Sequence, residues 1–132
     1  MAVTRALDNI RQIDYTVVFA RDMERMRHFY GTVLGFPVLN ELGPQWIAYR
    51  IGSTTLALTG RGLMFDDEPT AKGMLSVQLA FRVPPAVVDA CASELVAQGV
   101  AIVIPPTDQP WGHRTLFVRD PDGNVIEIYA EI

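Results

Sequence analysis

The sequence predicts an α+β domain built from two successive β-α-β-β-β units. Three observations lead there. The same order of strand-like and helix-like runs occurs twice. Glycines that end or turn those runs recur at similar separations. The final third holds a complete hairpin signal, Arg119 onward reading RDPDGNVIEI.

Residues 13–20 (IDYTVVFA) are β-branched and aromatic, as a strand requires. Asp22 then suits a helix N-cap, and Met26, Phe29, Tyr30 and Val33 recur at helical spacing until Gly35 ends the run. Two strand-like runs follow, 45–51 and 54–59, joined by a turn at Gly52-Ser53. In the second half residues 77–83 (VQLAFRV) open the unit. Pro84-Pro85 stands where a helix begins, Val88, Cys91 and Leu95 form its apolar stripe, and Gly99 closes it. Residues 100–104, 115–119 and 125–129 are the closing strands.

Laid over one another, the halves put Tyr15 opposite Gln78, Gly35 opposite Gly99 and Gly52 opposite Gly123, separations of 63, 64 and 71 residues. That period is too long for a solenoid repeat. The organisation is thus one domain over 1–132, with a first module at about 11–59, a polar linker at 60–76 and a second module at about 77–130.

In Asp120-Pro121-Asp122-Gly123-Asn124, Pro presets φ, the Asp and Asn side chains cap nearby backbone, and Gly supplies a positive φ. The strand after it carries one carboxylate, Glu127. An ionised carboxylate is costly to bury unless it is paired, hydrogen-bonded or bound to a metal. Glu127 therefore faces either bulk water or a polar cavity. Alternation sets Val125, Glu127 and Tyr129 on one strand face, and Gln78, Ala80 and Arg82 on one face of another.

Bulk properties exclude several classes. A formal charge of −4 argues against a nucleic-acid or anionic-membrane surface. One Cys rules out an internal disulfide, and a reducing cytosol is the expected setting. The opening MAVTRALDNIRQ lacks the apolar core of a signal peptide, and no apolar run approaches a membrane span, so a cytoplasmic location is expected. No Ser-His-Asp constellation, phosphate-binding glycine loop or zinc-type Cys/His cluster is present.

The second half, from VQLAFRV through QGV to PWGHRTLFVRDPDGNVIEIY, resembles the vicinal oxygen chelate superfamily of glyoxalases, bleomycin-resistance proteins and extradiol dioxygenases. YTVVFARDMERMRHFYGTVLGF is similar to that family's opening strand and helix. The resemblance covers residues 11 to 130. It implies two βαβββ modules whose sheets curl around a shared cup, usually in a homodimer.

It also implies four cup-facing positions for metal ligands: Tyr15, Ala57, Gln78 and Glu127. Only Glu127 matches the family pattern outright. Tyr and Gln stand where His is usual, and Ala57 where Glu is. A catalytic divalent ion normally needs about three protein ligands and an open position. Ala57 offers none, and a Tyr with an ordinary pKa near ~10 is a poor ligand at neutral pH. The expectation is therefore no cofactor, with a divalent metal at Gln78 and Glu127 as the alternative. Otherwise Gln78 and Glu127 are relics, hydrogen-bonded to each other, to Tyr15, to Arg82 or to water. A salt bridge from Glu127 to Arg82 or Arg114 is a further possibility.

In the loop Pro110-Trp111-Gly112-His113-Arg114, Trp111 has the face to stack on a planar ligand and Arg114 the fork to hold an anion. The alternative for Trp111 is packing against the sheet. Trp46, Phe19, Phe65 and Trp111 are candidates for an aromatic lining, or for ordinary core. His28 reads as a solvated helix residue and Cys91 as core.

Tyr15, Trp46, Gln78, Trp111, His113, Arg114 and Glu127 are thus the candidate ligand-binding residues, with Glu127 and His113 the candidates for proton transfer. The expected function is metal-independent binding of a small apolar or aromatic molecule in the cup. The competing expectation is a metal-dependent or cofactor-free lyase, isomerase or dioxygenase of the same superfamily. The expected partners are a small molecule and a second copy of the chain, without nucleic acid or membrane.

Overall fold

The computed structural model describes residues 5–62 and 64–132. Two four-stranded sheets each carry a helix. The first module runs β1 (Tyr15–Phe19), α1 (Met23–His28), β2 (Val38–Glu41), β3 (Trp46–Ile51) and β4 (Thr54–Thr59). The second runs β5 (Gln78–Arg82), α2 (Val88–Ala97), β6 (Ile104–Asp108), β7 (His113–Arg119) and β8 (Val125–Glu131). Strand orders are β1-β4-β3-β2 and β5-β8-β7-β6, so the sequence repeat is a repeat of topology. In each module the first strand is parallel to the last and lies at the sheet edge.

Local chemistry explains the ends of the elements. The Asp22 side chain accepts the Arg25 N–H at 3.1 Å, the N-cap expected there. α1 does not stop at His28 but widens into a π-turn over Phe29–Val33, where the Leu34 N–H reaches the Phe29 carbonyl. That turn carries Phe29 and Tyr30 inward. Gly31 within it leaves room for the Tyr49 ring, whose hydroxyl would lie 3.3 Å from any added Cβ. α2 follows a short 3₁₀ turn at Pro85–Val87, the start expected from Pro84-Pro85.

Two elements differ from expectation. The strand placed at 100–104 begins only at Ile104 and runs to Asp108. The Val100 N–H is still committed to the Leu95 carbonyl, so the chain has not yet left the helix end. β6 contains Pro105-Pro106, which cannot donate to a ladder. It is tolerated because β6 is an edge strand with an irregular register between Ile104 and Thr107. β2 was not anticipated. All four of its residues are exposed, so it lacks the apolar alternation that marks a half-buried strand.

The helix-facing sides of both sheets share one core. Met26, Tyr30, Tyr49 and Leu58 of the first module and Val88, Leu116, Val118 and Ile126 of the second are all at most 1% exposed. Phe36 meets Phe81 across the module boundary with ring centroids 5.2 Å apart. The other face of each sheet is open, and the candidate residues divide between the faces according to strand alternation. Among the described residues no helix is long and apolar enough to cross a membrane.

Candidate functional site

On the open face of the second sheet, alternation and register bring the expected pair together. Ala80 stands beside Glu127 in the parallel β5–β8 ladder, and Gln78 beside Val125. The Gln78 amide Nε2 donates to Glu127 Oε1 at 3.0 Å. Of the alternatives open in the sequence, this is the hydrogen bond between Gln78 and Glu127. Arg82 turns instead to Glu131, 3.1 Å away. Phe117 of β7 lies directly opposite Glu127 in the antiparallel β7–β8 ladder. On the same face His113 stacks on Tyr129, centroids 4.7 Å apart and rings 24° from parallel. The result is a row of polar side chains bordered by flat aromatic ones.

Arg114 is one residue further along β7 and therefore lies on the other side. It faces α2, where its guanidinium bonds Asp89 and Asp108, each at 2.8 Å. Those two bonds raise its pKa, the one to Asp108 most. The alternative in which Glu127 pairs with Arg114 is not formed, and Arg114, expected among the ligand-binding residues, is separate from the open face that carries Gln78 and Glu127. Trp111 sits in the loop before β7 and is 63% exposed.

The first sheet carries the remaining candidates. Tyr15, Val17 and Phe19 alternate onto its open face beside Thr55, Ala57 and Thr59. Ala57 is fully buried, with Val17 and Ala48 beside it in the flanking strands. Trp46 donates its indole N–H to Asn40 Oδ1 at 3.1 Å. Tyr15 is half exposed and shares no hydrogen bond with Gln78 or Glu127 among the described residues.

Sequence reasoning missed a buried polar cluster between the modules. Asp120, 4% exposed, accepts four hydrogen bonds: from the Tyr30 hydroxyl (2.7 Å), the Asp122 and Asn124 backbone N–H groups (3.0 and 2.9 Å) and the Asn124 amide (2.8 Å). Burial, then the adjacent Asp120 carboxylate, raises the Tyr30 pKa and keeps its hydroxyl protonated as a donor. Asp122 accepts the Arg21 N–H at 2.8 Å, and the Arg21 guanidinium reaches both the Asp122 carbonyl and Thr70. The only signal in the sequence was the turn itself, which placed Asp120 and Asp122 as local caps.

Burial raises the Asp122 pKa, Asp120 adds to the rise, and the Arg21 N–H opposes it. The folded state therefore holds the Asp122 proton more tightly than the unfolded chain does, and the charged form costs stability at neutral pH. That cost fades as pH falls through the raised value and the ordinary carboxylate range below it. Asp122→Asn should therefore gain on the parent at pH ~7 and lose that advantage near pH ~3. Urea midpoints at the two pH values measure it. A variant that is weaker by the same margin at both would show that the Arg21 bond to the carboxylate outweighs its burial.

A cavity of about 1040 Å³ lies elsewhere, between β1, the linker and the start of the second module. None of Tyr15, Ala57, Gln78 and Glu127 lines it.

The family model for the Glyoxalase/Bleomycin resistance protein/Dioxygenase superfamily matches residues 12–128. The chain belongs to that superfamily. A virulence protein of Salmonella typhimurium is 28% identical over 122 residues, 90% of this chain and 83% of that protein. Its crystal structure has a TM-score of 0.71 to this one, covering 93% of this chain and 98% of that chain. A glyoxalase/bleomycin resistance protein/dioxygenase family enzyme from Burkholderia phytofirmans gives a TM-score of 0.78 at 22% identity, covering 90% of this chain and 98% of that one. A lactoylglutathione lyase from Agrobacterium tumefaciens gives 0.74 at 24% identity, covering 90% and 92%. The last two share the fold with this chain.

The metal that the superfamily implies can be tested against the residues present. At the four positions, Ala57 presents a buried methyl group and Tyr15 an exposed phenol. Gln78 has already turned its amide nitrogen toward the carboxylate of Glu127. Among the described residues, no group of three or more His, Cys, Asp or Glu is placed to hold a metal ion. One carboxylate and one amide do not fit a catalytic divalent site.

Proposed function

We propose that this protein binds a small, mostly apolar or aromatic molecule without a metal ion, on the open sheet faces that its superfamily folds into a cup. The observation that carries the reading is the Gln78–Glu127 hydrogen bond in the second sheet, together with the buried methyl group of Ala57 where the first sheet would need a donor. Where a metal-dependent relative needs several converging donors, this chain offers a carboxylate oriented by an amide. Such a pair suits the polar end of an organic ligand. Phe117, Tyr129 and His113 border it on the same face and supply flat surface for the rest of the molecule. Glu127 accepts a hydrogen bond from the ligand, and Gln78 fixes the carboxylate's orientation.

The open faces also support a homodimer. Tyr15 on the first sheet is 55% exposed, and a second copy laid over it would remove that apolar surface from water. On this reading the polar pair of one sheet meets the aromatic residues of another.

Glu127→Gln tests the site. The substitution removes the charge while nearly preserving shape, so the melting temperature should stay within about 2 °C of the parent's. Affinity for a ligand found by thermal-shift screening of aromatic and apolar compounds should fall by about tenfold or more, the loss of one charge-assisted hydrogen bond. A ligand bound equally well by parent and variant would place binding away from Glu127.

A further inference from the structure

A second concavity, the cleft between the modules, has the make-up of a binding site. Its floor is apolar: Val17 and Phe19 from the open face of β1, Ala20 and Met23 just beyond it, and Val77 immediately before β5. Phe65 and Pro69 of the linker form the opposite wall. At about 1040 Å³ the cleft lies just above the range of about 300–1,000 Å³ usual for small-molecule sites. Phe19 and Phe65 are 54% and 62% exposed although both line it, which leaves aromatic surface for a ligand to cover.

The walls are tied in place. The Arg21 guanidinium bonds Thr70 of the linker on one side and the Asp122 carbonyl of the hairpin on the other. Ser76 bonds Asn124 across the same seam. Linker, hairpin and β1 are thus joined around the cleft, which makes it a preformed concavity.

Charge narrows the class of ligand. Four charged residues line the cleft: Arg21, Arg61, Asp67 and Glu68. Arg21 is engaged as above, and Arg61 is paired with Asp66 and Glu68. Neither Asp67 nor the Arg21 guanidinium has an ion pair among the described residues; the Arg21 donors are spent on carbonyl and hydroxyl oxygens, and with Asp66 the three carboxylates here outnumber the two cations. We propose that this cleft binds an apolar aromatic molecule bearing no negative charge, independently of the Gln78–Glu127 pair. The apolar floor provides the affinity and Asp67 discriminates against anions.

Fluorescence titration with two probes that brighten when desolvated tests this. Phenylnaphthylamine is uncharged, and anilinonaphthalene sulfonate is a similar ring system carrying an anion. The full chain should bind the uncharged probe saturably and at least about fivefold more tightly than the sulfonate. Asp67→Asn should narrow that ratio. Val17→Trp fills the floor and should weaken the uncharged probe by about tenfold, with Phe65→Ala weakening it about threefold. Phe65 lies outside every helix and strand, so its variant decides the matter if Val17→Trp does not fold. The loss of probe binding on Phe65→Ala should be the same in the parent and in a Glu127→Gln background, which separates this cleft from the site proposed above. Equal affinity for both probes, or binding indifferent to Val17→Trp and Phe65→Ala, would overturn the proposal. So would an effect of Phe65→Ala that disappears in the Glu127→Gln background.

Discussion

Asp120→Ala is expected to destabilise the protein by more than about 3 kcal/mol. The variant removes the shared acceptor of four donors and leaves them in a dry seam. Three of these, the Tyr30 hydroxyl, the Asn124 N–H and the Asn124 amide, belong to residues at most 5% exposed. Each orphaned donor costs roughly 1–3 kcal/mol. The hairpin turn and its attachment to the π-turn that follows α1 fail together, because one carboxylate serves both. Tyr30→Phe should cost only about 1–2 kcal/mol, since Asp120 keeps three of its four partners. Urea unfolding of both variants checks the ranking. Near-equal losses would mean that the hydrogen bond between modules, and not the turn, dominates the role of Asp120.

Gly123→Val should lower stability by about 1–3 kcal/mol for a different reason. Gly123 has φ of 91°, a region that a β-branched residue occupies only under strain. Space is not the obstacle, because the nearest atom to an added Cβ is the Gly73 nitrogen at 3.8 Å. The N–H of Gly123 closes the turn onto the Asp120 carbonyl at 2.9 Å, so relaxing φ would break that bond as well. A fall of several degrees in melting temperature is expected. An unchanged value would mean that the turn adopts another geometry in solution.

What could be read from the sequence was what nearest neighbours decide. The Asp22 cap, the positive φ of Gly35, Gly99 and Gly123, and the alternation along β5 and β8 all follow from chemistry within a few residues. The repeat followed from their order. The parts that escaped depend on partners far along the chain. β2 is exposed and short, so only its ladder with β3 makes it a strand. Alternation put Gln78 and Glu127 on inner faces, but their hydrogen bond depends on the register that aligns Ala80 with Glu127. Arg114 illustrates a parity error. Reading residues 110–114 as a loop left its direction free, whereas β7 begins at His113 and sends the next side chain to the helix side. Tyr30 and Asp120 are 90 residues apart, and no local pattern links them.

If this chain keeps the polar pair of its superfamily's cup without the ion, elemental analysis of protein purified without chelator will show it. One sample of the parent and one each of Gln78→Ala and Glu127→Gln suffice. All three should carry far less than one equivalent of zinc, nickel, iron or manganese per chain, and ligand affinity should be indifferent to added chelator. Close to one equivalent in the parent, lost in both variants, would contradict metal-independent binding at Gln78 and Glu127.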